Sequence, residues 1–131
     1  TKKWLYSNLK LRSKMIKHFL LDQSIICGLG NIYIDEILWH SKIKPTKISN
    51  TISKAKAKLL HLNIINVLTQ SIKFHGTTIL NFKFDNMKTG NYKSKLQVYG
   101  RDNLPCKSCS NKIIKKKIAG RSTHFCNTCQ N

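Results

Sequence analysis

Apolar residues recur every three to four positions through residues 1–23, with Lys and Arg between them. This spacing places the apolar side chains on one face of a helix, so the segment is predicted to be helical. Ser13 belongs to the residue types that cap helices, and a second helix is expected from about Lys14 to Leu21.

A third helix is predicted from Asn31 to Trp39, where apolar residues again fall on one face. Asn is a good helix cap, so Asn31 is expected to cap it. Asp35 and Glu36 near its start suit the positive end of a helix. Pro45 ends the periodic pattern.

The longest periodic segment opens at Thr51 or Ser53 and runs to about Phe74, where the pair His75-Gly76 ends it. It predicts one long amphipathic helix. The predicted apolar stripe consists of Leu59, Leu62, Ile65, Val67, Leu68 and Ile72.

The pattern changes after this helix. Residues 77–84 suit one more short helix, residues 85–94 have turn composition and are expected to form a mobile loop, and the segments from Leu96 onward are short and strand-like. We therefore expect one domain over residues 1–92 and a smaller one over residues 93–131.

Four of the five cysteines form two close pairs, with sixteen residues between the pairs. A gap of two residues lets both thiolates of a tight turn reach one tetrahedral ion, and the second pair completes the site. Four thiolates leave no position for water, so the spacing predicts one structural zinc ion. The predicted ligands are Cys106, Cys109, Cys126 and Cys129, and the connection between the pairs suits β-strands through Ile113, Ile114 and Ile118.

Other interpretations of the cysteines are weaker. Two disulfides fit poorly with the cytoplasm or another reducing compartment, which the lack of a signal-peptide pattern favours. His124 precedes Cys126 by two residues and could compete as a ligand, but a role in packing or phosphate binding is favoured. Cys27, between Ile26 and Gly28, is interpreted as a small buried apolar residue rather than a reactive thiol.

Charge indicates the class of partner. Twenty-four Lys and Arg face five acids, and the net charge is +19. Such a chain repels itself, and a polyanion relieves the repulsion while it releases counterions. Coding bias in an A/T-rich genome explains the choice of Lys over Arg but not the scarcity of acids. No apolar run of the length that spans a membrane is present.

Three positions suit phosphate contacts. Gly30 and Asn31 stand at a predicted helix start, where backbone amides can approach a phosphate closely, although a simple core corner between helices explains this segment equally well. Arg101 and Arg121, two of the three arginines, border the cysteine pairs. The planar fork of Arg can hold a phosphate through two bonds, and we expect Arg121 to make this contact at the tip of the finger.

Several motifs occur together in a recognisable order: LLDQSIICGLGNIYIDEILWHSKIKP, then GTT, then LQVYGR, then the cysteine pairs with GRSTHFC. This run closely resembles the formamidopyrimidine-DNA glycosylase family, which is related to endonuclease VIII, over residues 12–131. The resemblance implies a mainly α fold, in which a helix–two-turn–helix bundle is followed by a small zinc-ribbon β-hairpin. It also implies base-excision repair of oxidised purines by a DNA glycosylase and AP lyase that binds damaged double-stranded DNA.

The resemblance implies roles for single residues. Asn31 in GLGNIY and Arg121 in GRSTHFC would bind phosphates on either side of a flipped lesion. Lys88 and Tyr92 fall where the family has a loop that covers the lesion. Structural roles are expected for Asp22, Gln23 and Glu36.

The catalytic group of the family lies outside this sequence. The family's chemistry uses a free amino-terminal proline and an adjacent glutamate, whereas this chain starts at Thr1 and its prolines, Pro45 and Pro105, are internal. We therefore expect the DNA-binding half of such an enzyme, monomeric and inactive alone, without the amino-terminal β-sandwich domain. A free-standing DNA-binding module is the alternative, and a ribosomal or other RNA-binding zinc protein is a third, weaker one.

Overall fold

The computed structural model describes residues 2–22, 30–75 and 96–131. The expectations for Gln23, for Cys27 and for residues 77–94 lie outside the described residues. Within these ranges, the elements are four helices, a short 3-10 turn and a two-stranded antiparallel hairpin, which confirms the predicted fold class. They are α1 (Lys2–Leu11), α2 (Ile16–Leu21), α3 (Asn31–His40), the 3-10 turn (Ser49–Thr51), α4 (Lys54–His75), β1 (Ile114–Ile118) and β2 (Arg121–Phe125).

The first helical segment is broken, as predicted, but Ser13 does not cap the second helix. α2 begins at Ile16, and its cap position, Met15, makes no side-chain capping bond. The backbone amides of Ile16 and Lys17 instead donate to carbonyl oxygens of Lys47 and Pro45, at 2.7 and 3.1 Å. The segment that follows α3 therefore supplies acceptors for the backbone amides at the start of α2 that have no partner within the helix, which removes the need for a local cap.

The start of α3 also differs from the sequence expectation. Gly30 holds the cap position and Asn31 is the first helical residue, with no side-chain cap bond. Asp35 and Glu36 lie beyond the first turn and are buried, so they do not act on the helix dipole. Both carboxylates bind partners from other parts of the chain, because α3 lies between the helical core and the hairpin.

α4 is capped by Ser53, whose Oγ accepts a bond of 3.2 Å from the amide of Lys56. The predicted stripe was wrong in part: Leu62 and Ile65 are 54% and 48% exposed. Apolar residues are so dense in this helix that two neighbouring stripes are possible, and packing against α1 and α3 selects one of them. The buried core residues are Leu5, Leu9, Ile16, Phe19, Leu20, Ile34, Ile37, Leu38, Ile43, Ile52, Ala57, Leu60 and Ile64.

The hairpin has a two-residue turn. Ile118 pairs with Arg121, and the intervening Ala119 and Gly120 have φ of 54° and 77°. Positive φ at both positions is what this tight turn requires. A second small core surrounds the cysteines and contains Val98 and Ile113. Within the described ranges, we find no helix long and apolar enough to cross a membrane.

Candidate metal centre and nucleic-acid interface

The four predicted cysteines converge on one point. Their Sγ atoms all lie within 4.8 Å of one another. Cys106 and Cys129 are 3.8 Å apart at sulfur, and Cys109 and Cys126 are 3.4 Å apart. A disulfide needs about 2.05 Å, so the disulfide alternative does not fit. Zinc–sulfur bonds of about 2.3 Å place the sulfurs of a tetrahedral site about 3.8 Å apart, which the first distance matches and the second approaches.

The sulfurs differ in how strongly their surroundings favour the thiolate. The amide of Ser108 points to the sulfur of Cys106 at 3.5 Å, and the amide of Cys129 points to the sulfur of Cys126 at 3.4 Å. Burial raises the pKa of the Cys106 thiol, but nearby backbone amides and the side chains of Trp39 and Cys126 lower it to about 6. Burial and the neighbouring thiols raise the pKa of Cys129 to about 12. The donor set therefore fits one structural zinc ion, which replaces the thiol protons when it binds.

The start of α3 meets the hairpin next to its tip. The side-chain Nδ2 of Asn31 donates to the carbonyl oxygen of Ser122 at 3.1 Å. Ser122 follows Arg121, which is exposed and opens β2. The Oδ1 atom of Asn31 is buried and has no hydrogen-bond partner among the described residues. This bond joins residues 91 positions apart in the chain. It brings Gly30 and Asn31 to the segment of the hairpin that carries Arg121.

A buried ion pair lies behind this contact. Nζ of Lys17 is 2.5 Å from Oδ1 of Asp35, and both side chains are fully buried. The second oxygen of Asp35 accepts a bond of 3.0 Å from the amide of His124 in β2. Burial lowers the pKa of Lys17, Asp35 opposes this effect, and the positive charge of Arg121 adds to it. The pair therefore links α2, α3 and β2, near enough to Arg121 for its charge to act on Lys17.

Glu36 has the structural role that was expected. Its carboxylate accepts bonds from the backbone amides of Gln97, Val98 and Tyr99 at 2.6, 2.9 and 3.0 Å. Burial raises the pKa of this carboxyl, and the three amides lower it. Gln97, Val98 and Tyr99 form a bend and the start of a turn instead of the predicted strand-like segment, and the carboxylate holds them where the chain leads into the cysteine-rich region.

The other predicted residues have varied positions. Arg101 donates from Nη1 and Nη2 to the carbonyl oxygens of Gln97 and Pro105, both at 2.9 Å, and its binding to DNA stays a prediction. His124 is buried between Asp35 and Asp102 and does not belong to the sulfur cluster. Asp22 pairs with Lys14 at 3.1 Å, a bracing contact. Lys88 and Tyr92 lie outside the described residues.

The sequence analysis did not predict the pairing of Asp35 with Lys17. Lys17 looks like one more surface lysine in a chain rich in lysine, and Asp35 looks like a residue of a first helical turn. The one local signal is that Lys17 stands between Ile16 and Phe19 in a strongly apolar segment. The pairing itself depends on the crossing of α2 and α3, which no local pattern reveals.

A four-helix platform joined to a four-thiolate β-hairpin defines a protein of the helix–two-turn–helix and zinc-finger class. Residues 1–83 match the family described as "Formamidopyrimidine-DNA glycosylase H2TH domain", and residues 103–131 match "Zinc finger found in FPG and IleRS". The chain belongs to the formamidopyrimidine-DNA glycosylase H2TH domain family.

Known proteins of this kind are similar over nearly the whole chain. A formamidopyrimidine-DNA glycosylase of Lactobacillus helveticus is 46% identical over 130 residues, which are 99% of this chain and 47% of that protein. One of Lactococcus lactis is 44% identical over 93% of this chain and 44% of its own length. The chain spans about half the length of these curated relatives.

Solved structures agree. A structure of MutM in complex with DNA containing carbocyclic 8-oxo-G has a TM-score of 0.86 and 41% identity, and the match covers 100% of this chain and 46% of that one. The Lactococcus lactis FPG (MutM) in complex with DNA containing FAPY-dG has a TM-score of 0.86 and 42% identity, over 99% and 47% of the two chains.

Proposed function

We propose that this chain is the DNA-binding half of a base-excision-repair DNA glycosylase and AP lyase for oxidised purines. It binds the DNA backbone around a flipped lesion, and an amino-terminal β-sandwich domain carries the catalytic groups. The bond between Asn31 and Ser122 carries the proposal, because it joins the start of α3 to the arginine-bearing tip of the hairpin. The related structures are complexes with damaged DNA, which supports this choice of partner.

The proposed contacts are phosphate contacts. The Asn31 side chain, the backbone at Gly30 and the guanidinium of Arg121 together offer neutral and charged donors to the backbone of a duplex. Lys115, Lys116 and Lys117 on β1 are exposed and add positive charge to the same hairpin. We assign Arg101, Lys88 and Tyr92 to the same interface on the sequence argument.

The residues of this chain position DNA and do not break bonds. A lysine that forms a Schiff base needs a lowered pKa and access to the sugar. Lys17 is the fully buried lysine of the described residues and has a lowered pKa, but its Nζ is paired with Asp35 and cannot reach a duplex. The proposal includes two domains, over residues 1–92 and 93–131. It also includes a monomeric state and a location in a reducing compartment.

Salt-dependent binding to a duplex tests the role of Arg121. We expect Arg121→Lys to weaken binding about tenfold or more, because Lys keeps the charge but loses the two-bond contact. The slope of log K against log salt should stay unchanged for this variant and become shallower by about one unit for Arg121→Gln.

Arg12→Lys is the matched control, because the Arg12 side chain donates to Asn8 on α1. This variant should bind DNA as the native chain does. Equal affinity of Arg121→Lys and the native chain at every salt concentration would contradict the proposed contact. A preference of the isolated chain for lesion DNA above about a hundredfold would contradict the assignment of base recognition to the other half.

Borohydride trapping tests the non-catalytic assignment. The isolated chain should give no covalent adduct with DNA that contains an abasic site, because Lys17, the fully buried lysine of the described residues, is paired with Asp35 and cannot attack the sugar. An adduct at the yield of a complete enzyme would overturn the assignment.

A further inference from the structure

Trp39 is a residue of the helical domain that reaches the metal centre. It lies at the end of α3 and packs against the small core that contains Cys106 and Cys126. Its indole Nε1 is buried and has no hydrogen-bond partner among the described residues. A buried indole N–H usually finds an acceptor, because an unpaired buried donor is costly.

The acceptor can be found among the side chains of that core. Val98 and Ile113 offer carbon atoms alone, and the other members are the four cysteines, whose sulfurs accept hydrogen bonds. The ring of His40 meets Trp39 edge to face, with the ring centroids 4.9 Å apart, and lies outside this core. Among the side chains of this core, sulfur is therefore the acceptor that is available to the indole.

Zinc binding makes such a bond stronger. Four thiolates and one Zn²⁺ carry two negative charges in excess, and N–H donors stabilise this charge. Three of the sulfurs have local donors: Cys106 from Ser108, Cys126 from Cys129, and Cys109 from the Nδ2 of Asn111 at 3.5 Å. All these donors come from the cysteine-bearing turns themselves.

We propose that the indole N–H of Trp39 donates to the zinc-bound thiolate of Cys106, and that Trp39 is a positioning residue of the zinc site. Cys106 is a buried member of the core against which Trp39 packs, and the residue is only 2% exposed. This donor differs from the others because it comes from α3. The retention of zinc would then depend on the helical domain and not on the finger alone.

Metal release from the whole chain tests the proposal. Trp39→Phe keeps the ring but removes the N–H, and we expect it to bind one zinc ion and release it to a chelator about tenfold faster than the native chain. In the cobalt-substituted protein, the thiolate-to-metal charge-transfer band should shift in Trp39→Phe. Trp4→Phe is the matched control, since Trp4 is 45% exposed on α1 and should alter neither quantity.

A second measurement does not depend on a variant. In the native chain loaded with ¹¹³Cd, the indole proton of Trp39 should show a scalar coupling to the metal through the N–H···S bond and slow exchange with solvent. Unchanged zinc release and an unchanged charge-transfer band in Trp39→Phe would overturn the proposal. If Trp39→Phe fails to fold and loses its helical circular dichroism, the native chain provides the test. An indole proton of Trp39 that exchanges rapidly and shows no coupling to the metal would then overturn the proposal.

Discussion

Lys17 and Asp35 form an ion pair with no exposure to solvent, in which Nζ and Oδ1 are 2.5 Å apart. The other carboxylate oxygen holds the amide of His124, so a single side chain joins two helices to the hairpin. A buried pair stabilises little by itself, but it penalises any arrangement that separates its members. This relationship fixes where β2 lies relative to α2 and α3.

Removal of one member of the pair should be strongly destabilising. Asp35→Asn leaves the buried charge of Lys17 without its partner, and we expect the free energy of unfolding to fall by about 3 kcal/mol. Lys17→Met should have a similar effect, because it leaves the buried carboxylate of Asp35 without its partner. The double variant should recover a large part of the loss, because it leaves no unpaired charge. Denaturant unfolding of the zinc-loaded chain measures all three.

Lys14→Met is the control for this series. It removes an ion pair whose side chains are 34% and 24% exposed, and the expected loss is below about 1 kcal/mol. Purely additive effects of the two single changes at Lys17 and Asp35 would show that the pair is not coupled.

Glu36 should be the anchor of the segment around Val98. Glu36→Gln replaces a carboxylate that accepts three amide bonds by a group with one acceptor oxygen, which leaves buried amides unpaired. We expect a loss of about 2 kcal/mol in the free energy of unfolding. Hydrogen exchange at the amides of Val98 and Tyr99 should accelerate more than exchange within α1.

Asp102→Asn serves as the comparison for Glu36→Gln. Asp102 is 36% exposed at its side chain and lies 3.5 Å from the Nε2 of His124, so its effect should be much smaller. Native-like protection of Val98 and Tyr99 in the Glu36→Gln variant would show that the carboxylate does not hold this segment.

Leu60 and Leu62 of α4 should differ in how much their truncation destabilises the chain. Leu60 has no exposure and Leu62 is 54% exposed. Leu60→Ala creates a cavity in the helical core and should cost about 2–5 kcal/mol, whereas Leu62→Ala should cost less than about 1 kcal/mol. Thermal unfolding of the two variants measures the difference. Equal losses would show that the originally predicted stripe, which includes Leu62, faces the core.

Local chemistry made much of this protein predictable. The two cysteine pairs define a metal site by their spacing alone, because the geometry of a tight turn and of a tetrahedral ion needs no distant partner. The helices of the first domain follow from apolar periodicity, and the capping role of Ser53 follows from the hydrogen-bonding capacity of its side chain. The resemblance of GLGNIY and GRSTHFC to a known family predicts that Asn31 and Arg121 lie in one interface, and Asn31 bonds Ser122, the residue that follows Arg121.

The tertiary structure alone decided the rest. Ser13 is no cap because distant carbonyl groups occupy the amides it would have served, and Leu62 lies outside the core because helix packing chose the neighbouring stripe. Asp35 binds Lys17, and Glu36 binds the amides near Val98. These contacts join residues that are 18 to 63 positions apart in the chain. Periodicity and capping act within about one turn of a helix, whereas these contacts arise when whole elements pack, so the sequence pattern carries no record of them.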